Sequence, residues 1–229
     1  MDVLFINPGN ASGIYQDLSK VYSAIETPTW SLLLAESCRS VGYEVGILDV
    51  NAERLPTQQA VDRVKELNPR LVCFAVYGQN PNAGTVNMAG TVMLARALKE
   101  AGLESTISVV GSHVQALPYE TLEKEKDIID IIFSNEGVYA LWNLLKLQDL
   151  KDISLLETVK GIGFMKEGKV FLTPVEKLVP QDKMDEHLPG YAWDLLPYKE
   201  KPLDMYRSHF WHAEYDHDKR TPFATLYTS

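Results

Sequence analysis

A doubly wound α/β domain on five parallel strands is the fold class this sequence predicts, on three observations. Short runs rich in Val, Ile and Phe alternate with longer segments whose apolar residues recur at helical spacing, as in successive β-α-β units. The short runs are apolar almost throughout, as expected for strands buried on both faces of a parallel sheet. Pro28, Gly42, Asn68-Pro69, Gly102, Pro118 and Gly137 punctuate the joins.

The first strand is expected over residues 3–7. Behind Pro28, suited to a helix's first turn, Trp30, Leu33, Leu34, Cys38 and Val41 recur at helical spacing until Gly42. A second strand follows at 44–49, and Thr57 can cap a helix carrying Val61, Val64 and Leu67 on one face. After a third strand at 71–77, Met88, Val92, Ala95 and Leu98 define the third helix. Strands at 105–110 and 128–133 are each followed by a helix, the last reading Leu141, Leu144 and Leu145. Sequential, right-handed crossovers make the order 2-1-3-4-5, the flavodoxin-like (Rossmann-like) form, in which ligands bind at the carboxyl ends of the strands.

The periodicity fades near Asp149, which divides the chain into a ligand-binding domain at 1–149, a segment at 150–202 and a tail at 203–229. Residues 161–165 and 169–172 flank Glu167-Gly168 and read as a β-hairpin. Pro174, Pro180, Pro189, Pro197 and Pro202 then mark an irregular strap, suited to lying across another surface.

With 229 residues and 45% hydrophobic content, the chain can bury a full-sized core. A net charge of −9 and a pI near 5.1 argue against nucleic acid or anionic lipid as partner. Cys38 and Cys73 fall in apolar settings and read as buried reduced thiols, not as a disulfide framework or metal cage. The N-terminus lacks the basic and apolar regions of a signal peptide, and no stretch is long and apolar enough to span a bilayer, so a soluble cytoplasmic protein without membrane attachment is expected.

The loops after four strands are small, polar and glycine-containing, as expected for a cradle around a large ligand. After the first strand come Pro8, Gly9, Asn10, Ser12 and Gly13, where glycines permit close backbone approach; no GxGxxG is present, so the dinucleotide fingerprint fails. After the third come Tyr77, Gly78, Gln79 and Asn80, whose amides both donate and accept; a solvated polar turn is an equal reading. After the fourth come Gly111, Ser112, His113, Val114 and Gln115, leaving room for a ligand arm, with His113 read first as a surface hydrogen-bonding group. Ser134, Asn135, Glu136 and Gly137 open the last helix, whose N–H groups favour ligand oxygens, although Glu136 also suits an ordinary helix start.

Taken together, Asn7-Pro8, Thr27-Pro28, Val110-Gly111-Ser112-His113 with Leu117-Pro118, and residues 130–137 resemble the N-terminal cobalamin-binding domain of cobalamin-dependent radical SAM enzymes. The resemblance covers the whole chain: Trp193-Asp194-Leu195-Leu196-Pro197 matches an element that follows the hairpin in that family, and residues 222–229 look like the first strand of a radical SAM barrel. It implies cobalamin bound by the loop residues above and Thr27, with an iron–sulfur cluster and S-adenosylmethionine in the parent protein. The implied chemistry is cleavage of S-adenosylmethionine to a radical that takes hydrogen from a substrate, followed by methyl transfer from methylcobalamin. Some relatives use the same cofactors for cyclisation or rearrangement.

The sequence departs from the family in three places. It stops at Ser229, ahead of the family's CxxxCxxC cluster motif, so it is expected to be a fragment without turnover of its own. The Asp-x-His-x-x-Gly motif that supplies an axial histidine in other cobalamin proteins is absent, which implies base-off cobalamin with the lower cobalt face met by residues 8–15 or left open. The family's Gly-Glu-Gly-Glu is Ser134-Asn135-Glu136-Gly137 here.

A signalling receiver would share the fold but needs acids where Asn7-Pro8-Gly9 and Tyr77-Gly78 stand. A flavodoxin-like FMN module stays open, with residues 10–13 as a phosphate loop holding one hydroxyl, Ser12; the apparent barrel strand counts against a stand-alone corrinoid carrier. His209, His212 and His217 with Glu214 and Asp216 have loosely metal-like spacing, but no helical frame fixes them, and Trp211 and Tyr215 suit packing; no metal ligand is assigned.

Overall fold

The structure, a computed structural model, describes residues 1–9, 24–77, 81–197, 205–208, 210–219 and 221–226. Five parallel strands form as expected: β1 (Val3–Asn7), β2 (Val45–Asp49), β3 (Leu71–Ala75), β4 (Thr106–Val110) and β5 (Ile131–Phe133). They lie in the order β2-β1-β3-β4-β5, with Phe5 of β1 level with Ile47 and Cys73. Successive side chains of a strand point to opposite faces, and the core divides accordingly. Val3 and Phe5 pack on one face with Leu34, Ala35 and Cys38 of α1 (Thr29–Ser40) and Leu141 and Leu144 of α6 (Val138–Leu145). Leu4 and Ile6 pack on the other, with Val61 and Val64 of α2 (Thr57–Leu67), Ala95 and Leu98 of α3 (Pro81–Glu100) and Leu122 of α5 (Pro118–Glu125).

Strand ends shift from expectation by one or two residues, β3 stopping at Ala75 instead of 77, and two differences are larger. Ile128 and Ile129 are buried, but their N–H groups bond to the Glu125 carbonyl as α5 ends, so β5 starts only at Ile131. A buried turn and a strand carry the same apolar signal. The chain leaving β4 also turns at once into a short helix, α4 (Ser112–Ala116), where sequence reading placed a loop.

The hairpin forms where expected and continues the same sheet. β6 (Ile162–Lys166) pairs antiparallel with β5, and β7 (Lys169–Leu172) pairs with β6. Glu167 and Gly168 both take positive φ, the backbone that a two-residue turn between twisted strands requires. After the short α7 (Ile153–Leu156) and the hairpin, the proline-rich strap crosses the face made by α1 and α6. The Ser37 hydroxyl donates to the His187 carbonyl at 2.7 Å, at the end of α8 (Met184–His187), and Tyr139 Oη meets His187 Nδ1 at 2.7 Å. Further along, Arg39 grips both carboxylate oxygens of Asp194, at 2.6 and 2.9 Å, and this guanidinium holds the Asp194 carboxyl below the usual range.

A third, smaller cluster joins the strap and the C-terminal segment to the sheet: Ile25, Leu32, Ala52, Leu196, Met205 and Tyr206. Beside it, Arg207 bridges antiparallel to Ile25 on one side and Pro222 on the other. Among the described residues no helix is long and apolar enough to cross a membrane.

Candidate functional site

A parallel sheet delivers the ends of its strands to one rim, so Asn7, Asp49, Ala75, Val110 and Phe133 open onto a common edge. At the β1–β2 end of the rim Asp49 is fully enclosed. Its Oδ1 accepts from Asn7 Nδ2 at 2.8 Å and from the Ala52 N–H at 3.0 Å, and its Oδ2 accepts from the Tyr206 hydroxyl at 2.9 Å. Burial pushes the carboxyl up to about 6, against the opposing pull of those three donors. Pro8 is buried and Gly9 lies against the next loop, where a Cβ would stand 2.7 Å from Asn51 Cα.

The middle of the rim is built on a second close approach. Gly111 leaves β4 at φ +148°, and a Cβ there would stand 2.1 Å from the Val76 carbonyl oxygen, so only glycine lets the two strand ends lie side by side. Gly84 of α3 is buried, and a Cβ on it would press on Ser112 Oγ at 2.7 Å.

Across this floor three residues named from the sequence form one chain of hydrogen bonds. Gln115 Nε2 donates to Tyr77 Oη and to the Asn135 carbonyl, both at 2.8 Å. Asn135 in turn donates from Nδ2 to the Glu176 carbonyl at 2.8 Å and accepts the Gly137 N–H at 3.0 Å, which fixes the entry to α6. Tyr77 is held from behind by the edge of Trp30, with ring centroids 4.9 Å apart, and its carbonyl accepts from Asn87 Nδ2 at 2.8 Å. Burial pushes the Tyr77 phenol well above its ordinary range, so it stays neutral.

The remaining site residues are placed as follows. Ser112, His113 and Glu136 are half-buried beside the network, and Ser134 Oγ is buried at the end of β5 with no hydrogen-bond partner. Val114 is fully buried in the core, so its side chain is not exposed at the rim. Thr27 Oγ1 accepts the Thr225 N–H at 3.1 Å while Thr29 Oγ1 donates to the Thr225 carbonyl at 2.8 Å, so Thr27 docks the C-terminal segment. Asn10, Ser12, Gly13, Gly78, Gln79 and Asn80 lie outside the described residues, as does His209.

Sequence reading missed Asp49, Tyr206 and Gly84. A carboxylate closing an apolar strand was the one signal for Asp49; nothing local marks Tyr206 as its partner. Among the described residues no group of three or more His, Cys, Asp or Glu is placed to hold a metal, and Glu214 pairs with Lys219 at 2.8 Å.

The rim named from the sequence contains no lysine or arginine. Its chemistry is mostly amide, hydroxyl and main chain, with an orphaned serine hydroxyl and with glycines that let the strand ends and loops pack closely on one another. Those donors and acceptors fit a large neutral ligand edged with carboxamides better than a phosphate ester, which calls for cationic or clustered N–H donors.

Comparison with known proteins agrees. Two solved structures of the cobalamin-dependent S-adenosylmethionine radical enzyme OxsB, with aqua-cobalamin and with aqua-cobalamin and S-adenosylmethionine, superpose with a TM-score of 0.61 at 18% identity, over 85% of this chain and 24% of theirs. The radical S-adenosylmethionine methyltransferase TsrM from Kitasatospora setae, with cobalamin and a [4Fe-4S] cluster, superposes with a TM-score of 0.56 at 17% identity, over 79% of this chain and 30% of its own. At these identities the likeness is one of fold, and the chain spans about a quarter of the OxsB length. No curated protein matches the sequence. The model of the B12 binding domain matches residues 17–145, more than half of the chain, and with the strand order and a rim free of lysine and arginine it makes this protein a member of the B12 binding domain family.

Proposed function

We propose that the chain holds cobalamin base-off, without a histidine ligand from the protein, as the corrinoid module of a radical SAM enzyme that methylates a substrate carbon. The observation that carries this reading is a carboxamide-ready rim without lysine or arginine, in a B12 binding domain whose sequence contains no histidine between Asn7 and Thr27. When bound, cobalamin supplies the methyl group to be transferred. The work of this chain is to hold it, with the Tyr77–Gln115–Asn135 chain beneath it and the unpartnered Ser134 hydroxyl to bond to it. The printed names of the neighbours support the wider reading, since OxsB and TsrM are cobalamin-dependent or cobalamin-bound radical enzymes much longer than this chain, and TsrM is a methyltransferase. On this reading a radical SAM barrel of the same protein carries the iron–sulfur cluster and S-adenosylmethionine. It packs against the C-terminal segment, where Trp211, Tyr215 and Leu226 are exposed.

The test is retention on desalting after mixing the chain with hydroxocobalamin or with FMN. Corrinoid absorption retained in the protein fraction is expected; FMN retained without corrinoid would replace this reading with a flavodoxin-like one. Electron paramagnetic resonance of the reduced, bound cobalamin should lack nitrogen superhyperfine splitting, and its presence would refute the absence of an imidazole ligand.

A further inference from the structure

We infer that Gln115 is the specificity-determining residue of the rim, presenting a fixed acceptor that takes an N–H from a carboxamide on the corrin periphery and repels a carboxylate in the same place. The inference rests on the cobalamin reading above and adds to it which chemical form of the corrin the site selects.

The argument starts from the inventory of a glutamine side chain, which has two N–H donors on one atom and one acceptor oxygen. The amide orientation of Gln115 is set by a neighbour that can only accept: the Asn135 carbonyl, 2.8 Å from Nε2. An oxygen turned toward that carbonyl would place two acceptors in contact, so Nε2 must face it. The second N–H is taken by Tyr77 Oη at 2.8 Å, on the far side of the β4 exit. Both donors are therefore used up within the protein. Oε1 takes no hydrogen bond from the described residues and is not among the buried unpartnered atoms, so it remains open to a ligand.

The acceptor is also held still. Asn135 is anchored twice, to the Glu176 carbonyl and the Gly137 N–H, and Tyr77 is wedged against Trp30 with its phenol kept neutral by burial. Gln115 itself lies within the short α4, whose start is fixed by the Gly111 crossing over Val76. A rotation of the amide by half a turn, which would let a free glutamine accept a carboxylate through its N–H groups, breaks both bonds here. Corrins differ along their biosynthetic order in how many peripheral carboxylates have been converted to carboxamides, and cobalamin is fully amidated. An acceptor that cannot turn discriminates between these forms at one point of the rim, because a site built for an N–H rejects the group lacking it.

The experiment measures dissociation constants of the chain for cobalamin and for the separated cobalamin monocarboxylic acids, each with one peripheral carboxamide hydrolysed, near neutral pH. For the wild-type chain, one monoacid is expected to bind at least tenfold more weakly than cobalamin. Gln115→Met, which keeps the length and removes the acceptor together with both donors, is expected to weaken cobalamin about tenfold and erase that preference while lowering the melting temperature by about 4–8 °C for the two bonds lost. If Gln115→Met is misfolded by circular dichroism, the wild-type series alone decides. Equal affinity of the wild type for cobalamin and every monoacid overturns the role of Gln115 and leaves cobalamin binding standing, as does unchanged discrimination in a folded Gln115→Met. A wild-type chain that binds no corrinoid overturns both.

Discussion

Replacing Asp49 by asparagine should make the protein more stable at pH 8 and bring no gain at pH 4. Asp49 is fully buried, and its carboxyl is raised from 3.8 to about 6 because burial disfavours the anion more than Asn7, Ala52 and Tyr206 favour it. For a carboxyl whose folded value lies above its unfolded value, the protonated form is preferred by the fold. Its stabilising contribution is complete below 3.8 and is lost as pH rises through about 6, and the difference corresponds to about 3 kcal/mol. Asparagine has the same shape and no charge to desolvate: its Oδ1 can accept from Asn7 and Ala52, and its N–H can be given to the Tyr206 oxygen. Urea unfolding of wild type and Asp49→Asn, compared at pH 8, 6 and 4, isolates this group from the other carboxylates. The variant is expected to be more stable by up to about 3 kcal/mol at pH 8, with the gap closing between pH 6 and 4. A difference that stays constant with pH, or a variant less stable at pH 8 by more than about 1 kcal/mol, would refute the account of Asp49 as a carboxylate strained by burial.

Two further outcomes follow from the same geometry. Tyr206→Phe removes a donor from a buried carboxylate, so it should cost about 2 kcal/mol at pH 8, equivalent to a fall in melting temperature of about 4–8 °C for a chain of this size, and clearly less at pH 5, where the carboxyl is protonated. Gly111→Ala must place a methyl group 2.1 Å from the Val76 carbonyl at φ +148°; a loss of more than about 3 kcal/mol in thermal unfolding, with loss of corrinoid retention, is expected, and a variant that melts like wild type would mean the strand ends are not in contact.

The parallel sheet was legible because its signal is dense: five nearly continuous apolar runs, each separated by a helix with its own period, leave few other topologies. The hairpin was legible from Glu167-Gly168 set between the runs at 161–165 and 169–172, since the turn is local. The attachment of that hairpin to β5 was not, because a strand's apolar pattern does not name its neighbour. The same limit applies at the rim. Tyr77, Gln115 and Asn135 could be named as polar residues at strand ends, but that they bond to one another, and that Thr27 is engaged by Thr225, depends on distances the sequence does not hold. Asp49 escaped notice for the opposite reason: a carboxylate after an apolar run reads as the solvated end of a strand, and only its partner Tyr206, with |i−j| = 157, makes it a buried anchor.

The contacts between Thr27, Thr29 and Thr225 also have a bearing on how the molecule is made. Thr29 and Thr225 are separated by |i−j| = 196, so at about 5–20 residues per second the ribosome needs about 10–40 s between delivering one partner and the other. Through that interval β1, β2 and α1 can assemble from neighbouring sequence while the two threonine hydroxyls and the apolar surface of Ile25 and Leu32 stay open to solvent and to chaperones. Docking of the C-terminal segment is then a late, long-loop closure. Mutations that slow it, such as those at Thr29 or Tyr206, should show up in the yield of newly synthesised protein before they show up in the stability of the protein that survives.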